Sequence, residues 1–577
     1  MRRGRFAAAL ALVVALAAMA AGSAAAHKKQ PGFKTSQAAM VTPVAPGWRV
    51  EPLITVGETL PGTSYRFESI PDGISLHKRD HNRVDLFVNH ETSTVPFPPG
   101  FNDFTNALVS RLTLNRETRG ILAGEYAIPD AANYQRFCSN FMATHEHGFS
   151  RPILFTNEEA LDWVNRTGTA WPATIGADEA REAGAVAAYD VKKRRYHTIW
   201  GMGRHNHENS VAVPGYRKRV ILSGDDTFVS NPVQSQLYSY IAKNTNAVLR
   251  DKGDLFAFVS DTPGYDDYYD FAVGSTVEIN GHFEKVPKDI ATGRNPDGTD
   301  MVSSDKGYPA PPSDGTWQRA PDGTGLDGPQ WVLEHWGDIQ PKPVFQFVRL
   351  EDIAYDRNHN NVVYIADTGR GATSPGGNAF TSTNGRIWKL VLDTKDPTKA
   401  KLSILIEGDD NPVKTLGEIH QPDNLESTKD GLFVTEDPGS SQQFPVGSPD
   451  PNATTARLWH YGLSSGALAV IARVNQSADE GPTDRDAATT PGNLGAWESS
   501  GIVDASKQLG KGTFLLDVQA GTLVVQEEQR GSLTYQREGG QLLVLREPGA
   551  NDNANDRHDG RGKDDRGKHD RKKGGKR

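Results

Sequence analysis

The chain has 577 residues, among them 58 Gly and 35 Pro, and 8% of its residues are aromatic. This composition is typical of a turn-rich globular protein rather than a fibrous or disordered one. The formal net charge is −9, and because both ends are basic, the body between them is more acidic than the whole chain. An acidic body argues against nucleic acid as a partner and favours divalent cations.

The first 26 residues have the composition of an export signal. Three arginines among the first five residues precede an apolar run that extends to about Ala21. Residues 24–26 then form an Ala-Ala-Ala cleavage site. We therefore predict a signal peptide over 1–26 and export to the cell envelope or beyond, by the Sec or the twin-arginine route. The mature chain is expected to have no integral membrane segment, because no later apolar run is long enough.

Residues 27–50 are predicted to be a linker, and the folded domain is predicted over 51–547. Within this domain a short apolar run that ends in an acidic residue recurs. The runs are RVDLFVNHE (83–91), RPILFTNEE (151–159), RVILSGDD (219–226), NVVYIADTG (361–369), GLFVTEDPG (431–439) and GTFLLDVQ (512–519). Such runs are typical of strands, and their repetition is typical of a propeller. We predict an all-β, six-bladed β-propeller with a loop-rich insertion at about 230–347.

An acidic or His-Glu cluster precedes each apolar run. The upstream segments are IPDGISL, THEHGF, HNHENSV, LEDIAYD, QPDNLES and WESSGIV. Since the inner strands of a propeller line a common axis, side chains at equivalent positions converge, and converged carboxylates repel unless cations hold them. Their hard oxygen atoms suit Ca²⁺, Mg²⁺ or Mn²⁺. Arg349 and Glu351 alternate in the strand sense and are expected to share one face.

Cys138 is the only cysteine, so the chain has no internal disulfide. One interpretation makes it an inert apolar side chain in a pocket formed by Phe137, Phe141 and Met142. The other makes it a metal ligand, because a soft thiolate selects iron or another transition metal over calcium. In that case the histidines at 145 and 147, being on one face of a strand, are expected to assist it.

Residues 548–577 are rich in Lys, Arg and Asp and lack large apolar side chains. A segment of this composition cannot bury enough surface to fold, so we predict a disordered charged tail. Its basic character suits contact with an anionic cell surface, but the composition favours the simpler interpretation of a solubilising tail.

The order of the motifs resembles that of the PhoX-type alkaline phosphatases. The segments that carry the resemblance are Cys138, NEE (157–159), GRHNHENSV (203–211), SGDD (223–226), VRLED (348–352), QPDNL (421–425) and TED (435–437). The resemblance spans roughly Gly47 to Leu545. It implies an exported six-bladed propeller that hydrolyses small phosphate esters, with iron and calcium as cofactors.

The resemblance also implies roles for individual residues. Its implied metal ligands are Cys138, Glu158, Glu208, Glu351 and Asp423, with Cys138 on iron. Arg349 is implied to bind phosphate, and it and Glu351 are the implied catalytic pair.

The stretch between Cys138 and Glu158 departs from the family's pattern. It carries SNFMATHEHGFSRPILFTNEE where the family has T-P-W-G-T at a shorter spacing. Two other functions are therefore kept open: a calcium-dependent propeller hydrolase of lactones or other esters, and a non-catalytic calcium-stabilised propeller that binds a partner through 230–347. Iron together with calcium would distinguish the phosphatase from both.

Overall fold

The computed structural model describes residues 31–94, 103–104, 107–160, 163–165, 180–227, 234–320, 322–370, 384–409, 417–437, 454–476, 496–530 and 533–550. The predicted signal peptide and residues 551–577 of the predicted tail lie outside these ranges. The regular structure is mostly antiparallel β-sheet, in agreement with the predicted β class.

The strands, in chain order, are β1 (Val41–Pro43), β2 (Arg49–Thr55), β3 (Pro71–Lys78), β4 (Arg83–His90), β5 (Ser93–Thr94), β6 (Asp103–Phe104), β7 (Leu108–Asn115), β8 (Ile121–Ile128), β9 (Phe137–Ala143), β10 (Ile153–Glu158), β11 (Trp163–Asn165), β12 (Ala180–Glu182), β13 (Val186–Asp190), β14 (Arg195–Ile199), β15 (His207–Val213), β16 (Arg219–Asp225), β17 (Leu237–Ala242), β18 (Asp254–Ser260), β19 (Glu278–Lys285), β20 (Leu350–Tyr355), β21 (Val362–Asp367), β22 (Arg386–Leu392), β23 (Lys399–Glu407), β24 (Pro422–Ser427), β25 (Gly431–Glu436), β26 (Arg457–Gly462), β27 (Leu468–Val474), β28 (Trp497–Asp504), β29 (Thr513–Arg530) and β30 (Leu533–Arg546). The α-helices are α1 (Thr245–Val248), α2 (Lys288–Thr292), α3 (Ser303–Lys306), α4 (Pro329–Asp338) and α5 (Ser506–Leu509). Short 3-10 turns cover Asp130–Ala132, His145–His147, Trp200–Met202 and Tyr268–Asp270.

These strands form a succession of antiparallel sheets. The first sheet contains β3, β4, β7 and β8, and the second contains β9, β10, β13 and β14. Strands β15–β18 form the third and β20–β23 the fourth, and β19 pairs with both β18 and β23, so that these two sheets are continuous. Strands β24–β27 form the fifth sheet and β28–β30 the sixth, while β11 and β12 form a separate hairpin.

The first strand of each sheet packs beside the first strand of the next. Strands β3, β9, β15, β20, β24 and β28, here called the inner strands, contact one another in this order, and β28 contacts β3. The inner strands therefore form a closed ring, and residues near their amino-terminal ends are brought to one place.

Apolar side chains fill the space between neighbouring sheets. In successive gaps, residues from the two neighbouring sheets belong to one apolar cluster: Phe87 and Leu154, Phe155 and Ile221, Leu222 and Ile365, Ala366 and Val434, Phe433 and Leu516, and Leu542 and Leu86. Adjacent residues of one strand enter different gaps, since side chains alternate across a sheet. This explains why the apolar runs are continuous rather than alternating: both faces of each sheet are buried.

Part of the predicted linker contributes to the sheets. Strand β1 pairs with β27 at the edge of the fifth sheet, and β2, which begins at Arg49, pairs with β30 in the sixth. The composition of 27–50 indicated a linker because it has no repeat of its own; its backbone instead completes sheets built from the far end of the chain.

The predicted insertion is only partly separate from the sheets. Strands β17 and β18 lie within 230–347 and complete the third sheet, whereas β19 and the helices α2–α4 follow them. Within the described ranges, no helix has the length and apolar character needed to cross a membrane.

The pairing of β2 with β30 generates a stability prediction. Ile54 in β2 is fully buried and packs with Leu542 in the gap between the sixth and first sheets. We expect Ile54→Ala to lower the free energy of unfolding by about 2–5 kcal/mol, because it removes buried methyl groups and leaves a cavity. Val44→Ala is the control, since Val44 lies between β1 and β2 and is 46% exposed. Thermal unfolding of both variants tests this, and equal midpoints would contradict the role of β2.

Candidate metal centre

Five inner strands share one local backbone geometry. The first residue of each pairs with the last residue of the second strand: Pro71 with His90, Phe137 with Glu158, His207 with Asp225, Leu350 with Asp367 and Pro422 with Glu436. One extra residue then follows on the inner strand before regular pairing resumes. Such a β-bulge re-aims a side chain out of the sheet.

The residue that follows the paired position carries a metal-ligating side chain in each of these strands. These residues are Asp72, Cys138, Glu208, Glu351 and Asp423. In β28 the irregularity lies later, between Ser499 and Ile502, so Ser500 has the corresponding position and Glu498 precedes it. The same bulge at equivalent positions of the inner strands, rather than any single sequence motif, brings these side chains together.

The bulge residues and two glutamates form three overlapping triads. Their members are Asp72, Glu91 and Cys138; Cys138, Glu159 and Glu208; and Glu208, Glu351 and Asp423. Within each triad one ligand atom per residue lies within 4.8 Å of the others, and every member is buried. Because Cys138 and Glu208 are shared, the triads form one continuous group, here called the central cluster.

Burial of so many acidic groups strongly favours their neutral forms. It raises the pKa of Glu91 to about 7, an effect that Arg136 opposes and Asp72 increases. Burial also raises the pKa values of Glu208, Glu351 and Asp423, and neighbouring carboxylates add to each shift. The second oxygen of Glu208 is buried without a hydrogen-bond partner among the described residues. A bound cation would relieve both the repulsion and this unpaired oxygen, so the donor set fits metal ions.

Two guanidinium groups supply part of the missing positive charge. Arg136 lies 3.3 Å from Glu91 and 3.4 Å from Glu159. Arg349 donates to both carboxylate oxygens of Asp226, at 2.8 and 2.7 Å, and to Glu351 at 2.7 Å. Two guanidiniums cannot balance the six carboxyl groups of the central cluster, so most of its charge is left for protons or cations.

Cys138 lies among carboxylates rather than in an apolar pocket. Its thiol donates to Asp72 Oδ2 at 2.6 Å. Burial raises the pKa of this thiol well above its usual range, and the carboxylates of Asp72 and Glu208 raise it further. Phe137 and Met142 pack in the gap between the first and second sheets, in an apolar cluster that does not include Cys138.

Of the predicted ligands, the structure brings Cys138, Glu208, Glu351 and Asp423 together and places Glu158 elsewhere. Both oxygens of Glu158 accept hydrogen bonds from the Arg181 guanidinium, at 2.6 and 2.7 Å, and from backbone N–H groups. Its neighbour Glu159 is the member of the central cluster. Glu158 and Glu159 face different surroundings because adjacent residues in an extended chain point in opposite directions.

The two histidines predicted to assist Cys138 also lie elsewhere. His145–His147 is a 3-10 turn that follows β9, not a strand. His145 is exposed, whereas the buried His147 ring lies 3.0 Å from the Tyr355 hydroxyl. The triads within the described ranges contain no histidine.

Carboxylates at the ends of two second strands, Asp367 and Glu436, fix the backbone around the site. Asp367 accepts backbone N–H groups of Val348 and Arg349, at 3.2 and 2.9 Å, and the Trp388 indole N–H at 3.1 Å. Glu436 is held by the Arg457 guanidinium and the Trp459 indole in the same way. Like Glu158, these carboxylates fix the backbone at the end of the second strand.

A hydroxyl and amide network orients two of the cluster's carboxylates. Ser139 donates to Glu208, and Ser500 donates to Asp72 Oδ1 at 2.5 Å. Asn424 joins the two hydroxyls: its Nδ2 donates to Ser139 at 3.0 Å, and its Oδ1 accepts from Ser500 at 3.3 Å. Outer partners of this kind fix the direction of ligand atoms and tune metal affinity.

Sequence reasoning did not select three members of the central cluster: Asp72, Glu91 and Glu159. All three stand in the repeated segments, IPDGISL, VNHE and NEE. Alignment of the six repeats would have found them, because Asp72 occupies the column of Cys138 and Glu208, and Glu91 occupies the column of Glu159.

No protein-family model and no curated protein matches this sequence. Among solved structures, the chain is similar to PhoX from Pseudomonas fluorescens in complex with vanadate, a transition state analogue, with a TM-score of 0.52 and 14% identity over 90% of this chain and 98% of that one. Two further matches have much lower scores. A luciferin-regenerating enzyme gives a TM-score of 0.23 at 8% identity over 69% of this chain and 88% of that one. The computationally designed protein Ika8 gives 0.26 at 7% identity over 82% and 96%. At these identities, the likeness to PhoX concerns the fold.

Glu158 and Glu159 provide a matched pair of variants. We expect Glu159→Gln to weaken metal binding by about tenfold or more, since even the loss of an outer partner costs that much. Glu158→Gln is expected to retain metal but to lower the free energy of unfolding by about 3–5 kcal/mol, because it leaves the buried Arg181 charge unpaired. Elemental analysis and thermal unfolding of both variants test this. Metal loss in Glu158→Gln alone would reverse the assignment.

The raised pKa of Glu91 generates a pH prediction for the chelated protein. Between its ordinary value of 4.5 and its folded value of about 7, the folded state holds a proton that the unfolded state has lost. The free energy of unfolding therefore falls as pH rises through this window. We expect the melting temperature of chelated protein to fall across it, by about 1 °C for each kcal/mol lost in a chain of this length. Metal-loaded protein should show a much smaller fall; an equal fall in both forms would contradict cation binding at Glu91.

Proposed function

We propose that the protein is an exported, metal-dependent phosphatase that hydrolyses phosphate esters at the centre of a six-bladed β-propeller. The observation that carries the proposal is the central cluster: overlapping Cys and carboxylate triads at equivalent bulges of the inner strands, with Arg349 bonded to one of their members. An acidic site can accept an anionic ester only when cations and guanidinium groups offset its charge.

Several features support the propeller. The inner strands form a closed ring, apolar side chains fill every gap between successive sheets, and β1 and β2 complete the sheets at the carboxyl end. Edges closed in this way are typical of propellers, whose first and last strands combine in shared sheets. The fold likeness to PhoX supports the same architecture.

The donor types favour two kinds of metal. The triad of Glu208, Glu351 and Asp423 offers only oxygen atoms, which calcium prefers. The other two triads share the thiol of Cys138, a soft ligand that suits iron. Bound cations at such a site supply Lewis-acid catalysis and offset the charge of phosphoryl oxygens.

We assign the binding of the phosphoryl group to Arg349. Its guanidinium is oriented by Asp226 and Glu351, which accept hydrogen bonds from Nε and Nη2. A guanidinium favours the oxygens of a phosphate ester because its N–H donors form charge-assisted hydrogen bonds with them. Glu351 then has two roles, as a ligand of the all-carboxylate triad and as a partner that fixes the direction of Arg349. The vanadate in the PhoX structure, as a transition state analogue, is consistent with this choice of substrate class.

Export of the protein, and a tail in contact with an anionic cell surface, rest on the composition of the two ends. Calcium is abundant outside the cytoplasm, so an exported chain would meet the cation that its carboxylates favour. The substrate is proposed to be a small phosphate ester rather than nucleic acid, because the body of the chain is acidic.

Elemental analysis combined with turnover tests the proposal. We expect purified protein to contain both iron and calcium and to hydrolyse p-nitrophenyl phosphate, and chelation is expected to abolish turnover. In Cys138→Ser we expect loss of iron and a fall in turnover of about 10- to 100-fold or more, with calcium retained. Met142→Leu, on the same strand and outside the central cluster, is the control.

Other outcomes would identify the alternatives. Calcium without iron, together with no phosphatase turnover, would favour a hydrolase of another ester class or a binding scaffold. Unchanged iron and turnover in Cys138→Ser would remove the thiol from the metal centre.

A further inference from the structure

A second group of buried oxygen ligands lies where α4 meets the end of β16. It contains Asp225, the last residue of β16, Thr227, which follows this strand, and Gln330 and Glu334 from α4, and is here called the junction cluster. Gln330 and Glu334 are four residues apart and therefore lie on one face of the helix. None of these residues belongs to the central cluster.

The junction cluster contains two carboxylates without a basic partner. Asp225 and Glu334 are fully buried, and among the described residues neither forms an ion pair with Lys or Arg. His205 approaches Asp225 at 3.8 Å, but burial lowers the pKa of this imidazole well below its usual range, so it is neutral. Two buried carboxylates in this position require either protons or a cation.

Several buried polar atoms of the junction are also unpaired. Asp225 Oδ2, Glu334 Oε2 and Gln330 Oε1 have no hydrogen-bond partner among the described residues, and neither ring nitrogen of His205 has one. Unpaired buried groups are rare in folded proteins, and a concentration of them indicates a missing ligand.

The Gln330 amide shows where such a ligand would lie. Its nitrogen is 2.5 Å from both Thr227 Oγ1 and Glu334 Oε1 and 3.5 Å from Asp225 Oδ1, so the amide is surrounded by oxygen atoms. The two ends of an amide are distinguished only by their neighbours. Rotated by half a turn, the amide would present its oxygen to the same centre, which would then be faced by two carboxylates, a hydroxyl and an amide oxygen.

We propose that the junction cluster binds a calcium ion, separate from the metals of the central cluster. Two carboxylates, an amide oxygen and a hydroxyl form the hard oxygen set that calcium takes, and water molecules commonly complete its coordination. The ion ties α4 to the third sheet and thereby fixes the helical part of the 230–347 segment over the propeller. Its binding does not depend on the phosphatase activity proposed above.

Calcium content per chain tests the site. Full-length protein, Glu334→Gln and the control Asp338→Asn, which removes a carboxylate from the same helix outside the cluster, are dialysed against one calcium buffer and analysed for metals. We expect Glu334→Gln to hold one calcium fewer than the other two, with iron unchanged in all three. Equal calcium in all three, or no calcium in the wild type, would overturn the proposal.

A second variant, Gln330→Glu, tests the calcium site even if Glu334→Gln does not fold. A third carboxylate strengthens a calcium site, so we expect this variant to retain its calcium at chelator concentrations that strip the wild type and to melt at a higher temperature in calcium. If protons rather than calcium neutralise the junction, the added carboxylate lowers the melting temperature and calcium does not restore it. That result would also overturn the proposal.

Discussion

Repulsion among the buried acidic groups of the central cluster is the constraint on which the rest of the structure depends. Six carboxyl groups and a thiol lie in triads whose ligand atoms are within 4.8 Å of one another. Among the described residues, two guanidinium groups, those of Arg136 and Arg349, form ion pairs with members of these triads. Such a group persists only if a rigid framework holds it and protons or cations neutralise it. The sheets supply the framework, because both of their faces are buried against neighbours and their strand ends are fixed by Arg and Trp side chains.

The bulges of the inner strands convert this framework into a site. A regular strand would direct alternate side chains into the gaps between sheets, where charge cannot be accommodated. One extra residue turns a side chain from the gap towards the centre. Acidic residues at the end of the second strand of a sheet have one of two roles. Glu158, Asp367 and Glu436 accept hydrogen bonds that fix the strand end, whereas Glu91 and Glu159 belong to the central cluster. In the second sheet this division falls within one adjacent pair, since Glu158 forms an ion pair with Arg181 and Glu159 belongs to the central cluster.

The β class and the apolar runs could be read from the sequence, because both depend on local composition and on a repeated order. The grouping of Cys138, Glu208, Glu351 and Asp423 was implied by the order of the motifs that contain them. The choice between Glu158 and Glu159 could not be read from the sequence, since it depends on a pairing register that a one-residue shift reverses. The pairing of β1 and β2 with distant strands has no local signal either. The turn at His145–His147 was missed because alternation of two histidines does not distinguish a strand from a capped 3-10 turn.

The pairing of β2 with β30 has a consequence for how the chain reaches its folded state. Arg49 is opposite Arg546 in this ladder, so a strand near the amino terminus finds its partner only after almost five hundred further residues have been synthesised. Contacts of such long sequence separation make folding slow, because the entropy of closing the loop is lost before the paired strands contribute any stabilisation. Until then the edge of β2 is exposed, and a partly made chain risks pairing with other chains through it. Chaperones that shield extended segments during synthesis would therefore matter more for this protein than for one built from local contacts.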